Sequence, residues 1–85
     1  MNIEIYSKQG CIYCDKSKSF LHNRGYIFTE HCFDATKNNY IQKRDTLFNK
    51  YNHASFPIIV INNIFIGGYT QLINYKFPLV FDNSF

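Results

Sequence analysis

Cys11 and Cys14 stand three positions apart in Cys11-Ile12-Tyr13-Cys14, a spacing at which two thiols can close a small disulfide across a turn of chain. The chemistry this pairing offers is thiol–disulfide exchange, in which a thiolate attacks a disulfide sulfur. If a helix opens at Ile12, Cys11 faces backbone N–H groups without helical partners and the positive end of the helix dipole. Lys8 adds a nearby cation. Such surroundings lower a cysteine from about 8.5 to roughly 3.5–7.5, so a thiol there is largely ionised at neutral pH. Cys14, one turn in and more shielded, is placed to resolve the mixed disulfide. A structural thiol pair and half of a zinc site are the other readings. Zinc needs about four ligands, and beyond the pair the chain offers only Cys32 with His22, His31 and His53. His31 and Cys32 are neighbours on a predicted strand, so their side chains leave on opposite faces and do not easily share an ion. Cys32 is most simply a core thiol, with an accessory redox role as the alternative.

Two further segments can hold a ligand. Phe56-Pro57 precedes an apolar run, and an X-Pro bond there is either cis, holding the preceding backbone open for an added strand, or trans at a strand start. Gly67-Gly68-Tyr69-Thr70 opens a predicted helix. Its free N–H groups suit a carboxylate, and glycine lets a ligand approach the backbone, although hairpin exits use such pairs routinely.

These segments need a frame. Asn2–Tyr6 alternates Ile3 and Ile5 with polar neighbours and reads as a strand ending at Ser7–Gly10. Ile12–Arg24 lacks Gly and Pro and stops at Gly25, which predicts a helix. Tyr26–Phe33 predicts a second strand, about parallel to the first, completing a right-handed crossover. Asp34 or Thr36 caps the next helix, where Tyr40, Ile41, Leu47, Phe48 and Tyr51 form one face around Arg44. The stem of Arg44 covers apolar surface while its head reaches water. Ile58–Ile61 is a strand buried on both faces, and Asn62-Asn63 turns it into a hairpin with Ile64–Ile66. The last helix runs from Tyr69 to about Lys76 and is stopped by Pro78. The apolar tail Phe77–Phe85 is expected to pack back onto the body, a partner surface being the alternative.

Composition sets the limits. Eighty-five residues, 46% hydrophobic and 18% charged, suit one small folded domain over residues 1–85. The longest aliphatic run, Ile58–Ile61, is far below the roughly 18 apolar residues of a membrane span, and Glu4 interrupts any secretory signal. A soluble, unprocessed, monomeric protein is expected. The net charge of +3 comes without a base-reading or phosphate-cradling motif, so small anions rather than nucleic acid are the expected ligands. Three cysteines are too few and odd in number for a disulfide-stapled secreted fold, which points to a reducing compartment.

Taken together, Lys8-x-x-Cys11-Ile12-Tyr13-Cys14, Phe56-Pro57-Ile58-Ile59-Val60-Ile61 and Ile66-Gly67-Gly68-Tyr69-Thr70-Gln71-Leu72 resemble the glutaredoxin family, in order and spacing, over residues 1–76. The resemblance implies an α/β thioredoxin-like fold with a four-stranded mixed sheet of order 2-1-3-4, flanking helices and a shortened last helix. It implies a cis Pro57 facing the thiols and glutathione as reductant. By position, Cys11 attacks and Cys14 resolves, and Lys8 and Tyr13 flank the glutathione. Phe56 and Pro57 pair with its cysteinyl part, and Gly68, Tyr69 and Thr70 take its γ-glutamyl end. Ile12 replaces a proline common in the dithiol motif, Ser55-Phe56 and Gln71 also depart from the family, and Asn49 or Lys50 stands where the glycine carboxylate is often held.

The implied activity is a cytoplasmic glutathione-dependent thiol–disulfide oxidoreductase acting on protein disulfides or glutathionylated proteins. The alternatives are an electron donor reduced by thioredoxin reductase, a dimer holding a [2Fe–2S] cluster through Cys11 and glutathione, and an interaction module with an inert thiol pair. The Asn, Ile, Lys, Phe and Tyr richness suits an AT-rich genome such as a virus carries.

Overall fold

Alternation fixes the first strand, β1 (Ile3–Lys8): Ile3, Ile5 and Ser7 are buried, while Glu4, Tyr6 and Lys8 are half-buried toward the other face. This computed structural model describes residues 1–78. The chain continues through α1 (Ile12–Asn23), β2 (Thr29–Phe33), α2 (Tyr40–Tyr51), β3 (Ile58–Ile61), β4 (Ile64–Gly67) and α3 (Tyr69–Ile73). The strands form one sheet in the order β2-β1-β3-β4. β1 is parallel to β2 and antiparallel to β3, and β4 returns antiparallel to β3. This is the mixed thioredoxin-like sheet that the resemblance implied.

The two-residue period of the central strands divides the core in two. Ile3, Ile5, Ile59 and Ile61 meet Leu21 of α1 and Leu72 of α3 on one face. Ile58 and Val60 meet Leu47 of α2 on the other, with Tyr6, Phe33, Phe48 and Phe56 packed around them. All four residues of β3 are buried, as its continuous β-branched run predicted. Asn62 and Asn63 turn the hairpin with φ of 52° and 66°, the left-handed pair that a tight hairpin turn requires.

Several boundaries differ from expectation. β2 starts at Thr29 rather than Tyr26, because Thr29 pairs with Glu4 near the start of β1 and the preceding residues have no strand alongside. Tyr26 and Phe28 pack on the core instead, while Ile27 is exposed. Neither Asp34 nor Thr36 caps α2. Asp34 Oδ1 accepts the Thr36 N–H at 2.9 Å and its hydroxyl at 2.6 Å, closing a local turn, and the helix starts later, after Asn39. Ile41 lies on the solvent side of α2, not on the buried stripe. α3 ends at Ile73 rather than near Lys76, since the Asn74 amide donates to the Thr70 carbonyl at 2.8 Å and closes the last turn. Phe77 packs back as predicted, stacked on Tyr26 with centroids 4.4 Å apart. The remaining tail residues named above, Leu79, Val80, Phe81 and Phe85, lie outside the described residues.

Candidate active site

Cys11 occupies the N-cap of α1 in extended conformation, and its sulfur accepts the Cys14 N–H at 3.2 Å. An N–H aimed at a sulfur favours the anion over the thiol, the arrangement expected of a reactive cysteine at a helix start. The two sulfurs are bonded to each other, with Cα atoms 5.2 Å apart. Their surroundings differ sharply: Cys11 is partly exposed, whereas Cys14 is 0% exposed on the inner face of α1. That face repeats at helical spacing through Ser17 and Leu21, both buried, so the same amphipathic pattern that anchors the helix hides the second sulfur.

A polar network fixes the helix to the sheet. Buried Ser7 of β1 donates to Glu30 Oε2 at 2.6 Å, and Lys18 of α1 reaches the same oxygen at 2.9 Å. These two hydrogen bonds, Ser7 first and Lys18 second, hold the Glu30 carboxyl below the usual glutamate range. The hydrogen bond to Glu30 in turn raises Lys18 above the ordinary lysine value.

Two clefts flank the disulfide. The first, about 380 Å³, is lined by Lys8, Cys11, Tyr40, Arg44, Phe48 and the loop residues 54–56. The second, about 270 Å³, is lined by Tyr13, His53, Ser55, Phe56, Pro57, Gly68, Tyr69, Thr70 and Gln71. Ser55 and Phe56 border both, so the clefts meet at that loop. Cys14 is buried beside them, and Lys8, Cys11, Tyr13, Phe56, Pro57, Gly68, Tyr69 and Thr70, all singled out from the sequence, each line one cleft or the other. The Phe56–Pro57 bond is cis. Tyr13 and Tyr69, which both line the second cleft, pack against each other with centroids 5.5 Å apart.

Gly68 meets expectation only in part. A Cβ there would lie 3.4 Å from the Pro57 carbonyl oxygen, an ordinary van der Waals contact, so packing against Pro57 does not itself demand glycine. Its N–H already donates to Gln71 Oε1 at 2.9 Å. The donors left at the opening turn are those of Tyr69 and Thr70, which have no carbonyl one turn back.

Arg44 is among the lining residues that sequence reasoning left outside the site, and it is the charged one beside Cys11. Its guanidinium lies 5.6 Å from the Tyr40 ring and 5.9 Å from the Phe48 ring, as expected of a side chain covering apolar surface. The same packing turns it into the cleft that holds Cys11. The signal was its position four residues after Tyr40 and four before Phe48. Lys50 borders another groove, with Thr46 and Leu47, and neither it nor Asn49 lines a cleft beside the thiols.

Cys32 is exposed, contrary to the core thiol expected. β2 is an edge strand, and His31 and Phe33 are the residues that turn inward, His31 stacking on Tyr6 with centroids 4.6 Å apart. The cavity beside that edge, about 520 Å³, is larger than either cleft but lies away from the disulfide.

Comparison with known proteins agrees with this geometry. The family model described as Glutaredoxin matches residues 3–66. Glutaredoxin 3 of Escherichia coli strain K12 is 32% identical over 71 residues, spanning 84% of this chain and 81% of that protein. The solution structure of a dithiolic glutaredoxin from Trypanosoma brucei brucei superposes with a TM-score of 0.72 at 30% identity, over 85% of this chain and 73% of that one. The buckwheat glutaredoxin–glutathione complex gives a TM-score of 0.76 at 18% identity, a likeness of fold, over 85% of this chain and 64% of that one.

Proposed function

This chain belongs to the glutaredoxin family, and from that premise we propose that it is a glutathione-dependent thiol–disulfide oxidoreductase acting on protein disulfides and glutathionylated proteins. The observation that carries the reading is the Cys11–Cys14 pair at the opening of α1, one sulfur partly exposed and the other wholly buried.

The reduced Cys11 thiolate attacks the glutathione sulfur of a mixed disulfide. The old S–S bond breaks, the protein thiolate leaves and takes a proton from water, and glutathione stays on Cys11. A second glutathione thiolate then attacks the glutathione sulfur, which releases oxidised glutathione and restores Cys11. With a protein disulfide, Cys11 first forms a mixed disulfide to one substrate sulfur. Cys14 then attacks Cys11, expelling the substrate thiolate and leaving the Cys11–Cys14 bond for two glutathiones to reduce.

Lys8 and Arg44 supply the positive charge that a glycine carboxylate needs in the first cleft. Phe56 and Pro57 offer backbone to the cysteinyl part, and Tyr13, Gly68, Tyr69 and Thr70 wall the γ-glutamyl end, with the Tyr69 and Thr70 N–H groups as donors. One domain acting as a monomer meets these requirements, because both cysteines and both clefts come from one chain. Thiols kept reduced between turnovers suit the cytoplasm, and no helix among the described residues is long and apolar enough to cross a membrane.

The test is reduction of a peptide–glutathione mixed disulfide, coupled to glutathione turnover, by wild type, Cys11→Ser and Cys14→Ser. Cys11→Ser is expected to fall to background. Cys14→Ser should keep mixed-disulfide reduction and lose the protein-disulfide route. Wild-type rates from Cys11→Ser would overturn the mechanism. A parallel assay with thioredoxin reductase in place of glutathione tests which reductant the protein accepts.

A further inference from the structure

The two clefts beside Cys11 contain positive and neutral groups, and among the described residues no carboxylate lines either of them. Lys8 and Arg44 border the first and His53 the second. The acids closest in sequence are committed elsewhere. Asp45 Oδ1 accepts from Arg44 Nε at 3.2 Å and Nη2 at 3.1 Å, and Asp15 lies 3.6 Å from Lys18 on the exposed flank of α1. The Gln71 side-chain oxygen, a neutral acceptor, already holds the Gly68 N–H at 2.9 Å.

Glutathione brings two carboxylates and one ammonium. One carboxylate finds Lys8 and Arg44 in the first cleft and the other finds the Tyr69 and Thr70 N–H groups in the second, whereas its ammonium finds no counter-charge in either cleft, whichever way round the tripeptide lies. A site that holds a charged substrate group with a dedicated counter-charge strongly rejects the analogue lacking it, because its own charge is then left unpaired; a site that offers that group only neutral, solvated acceptors does not. We propose that this site selects low-molecular-weight thiols by their carboxylates and does not read the α-amino group, so that amine-free thiol carboxylates serve alongside glutathione. The inference rests on the oxidoreductase reading above. The exchange is unchanged for such a thiol: Cys11 thiolate bonds to the small thiol's sulfur, the partner thiolate leaves, and a second molecule of the same thiol removes the first as its symmetric disulfide.

The test uses one fluorescent cysteine peptide in three mixed disulfides, with glutathione, with glutaryl-Cys-Gly (glutathione with its α-amino group replaced by hydrogen) and with 2-mercaptoethanol. Reduced wild-type protein is mixed with each in stopped flow, and peptide release is followed. The glutathione and glutaryl-Cys-Gly compounds are expected to react with rate constants within threefold of each other, and the 2-mercaptoethanol compound at least tenfold more slowly. A glutaryl-Cys-Gly compound slower than glutathione by threefold or more would overturn the inference and leave the oxidoreductase reading standing. A glutathione compound no faster than the 2-mercaptoethanol one would remove both. Thr70→Asp provides a second arm, since Thr70 is exposed in the first turn of α3 and borders the second cleft. The added carboxylate should raise the ratio of glutathione to glutaryl-Cys-Gly rates at least fivefold. A wild-type ratio of threefold or more that Thr70→Asp leaves unmoved would show that the ammonium is read by a group outside that cleft and would overturn the inference.

Discussion

Gly67 adopts φ of +127°, and a Cβ at that position would fall 2.6 Å from Gln71 Cγ. The side chain so displaced is the one that holds the Gly68 N–H. Gly67→Ala therefore combines a backbone strain with the loss of that hydrogen bond, and the expected cost is about 1–3 kcal/mol. Urea unfolding should show a lower midpoint at unchanged slope. Gly10 and Gly25 also have positive φ, but a Cβ there meets nothing within 4 Å, so alanine at either should cost only the strain. Arg44 invites a different experiment, because it both covers the Tyr40 and Phe48 rings and lines the Cys11 cleft. Arg44→Met keeps the stem and removes the charge. KM for the glutathione mixed disulfide should rise roughly fivefold, with kcat little changed. A normal KM would exclude Arg44 from ligand binding.

At the scale of elements, the link between α1 and the sheet is partly ionic and so depends on pH. Ser7 and Lys18 hold the Glu30 carboxyl below the ordinary glutamate range. A depressed carboxyl means that the unfolded chain binds the proton more readily than the folded one. The stabilisation is complete above the ordinary glutamate value, near pH 4.3, and is lost as pH falls through the lower folded value. Lys18 is shifted upward, so its contribution is present below the ordinary lysine value and is lost only as pH rises through the higher folded one. Glu30→Gln should thus cost about 1 kcal/mol at pH 7, and that difference from wild type should shrink on acidification when both are unfolded in urea across pH 3–7. A constant difference would assign the cost to packing.

The order of elements was legible in the sequence, because Ile3 and Ile5, the run Ile58–Ile61 and the Asn62-Asn63 turn each carry a local pattern that tertiary packing reinforces. The elements that depend on distant partners were less so. β2 begins where β1 offers pairing, α2 begins after Asp34 has spent its side chain on a turn, and Cys32 is exposed because its strand lies at the sheet edge. Within the site, the cysteines and the Phe56-Pro57 and Gly67-Gly68 segments announced themselves by local chemistry. Arg44 did not, since its role comes from α2 facing Cys11 across a gap that sequence spacing does not encode.

At the scale of the whole molecule, the charge balance has a direction. The net charge is +3, and Lys8 and Arg44 concentrate part of it beside Cys11, the more exposed of the two sulfurs. A cleft lined by one sign of charge raises the local concentration and the association rate of an oppositely charged ligand, an effect that salt screens. The screening length falls from about 30 Å at 0.01 M to about 10 Å at 0.1 M ionic strength. Over that interval kcat/KM for the anionic glutathione mixed disulfide should fall several-fold, whereas the uncharged 2-mercaptoethanol mixed disulfide of a neutral peptide should be nearly indifferent. Arg44→Met should flatten the first dependence without touching the second, because it removes charge at the cleft but leaves Cys11 and its N–H partner in place. Equal salt slopes for the two substrates would show that the positive charge acts on the thiolate itself rather than on the approach of its ligand.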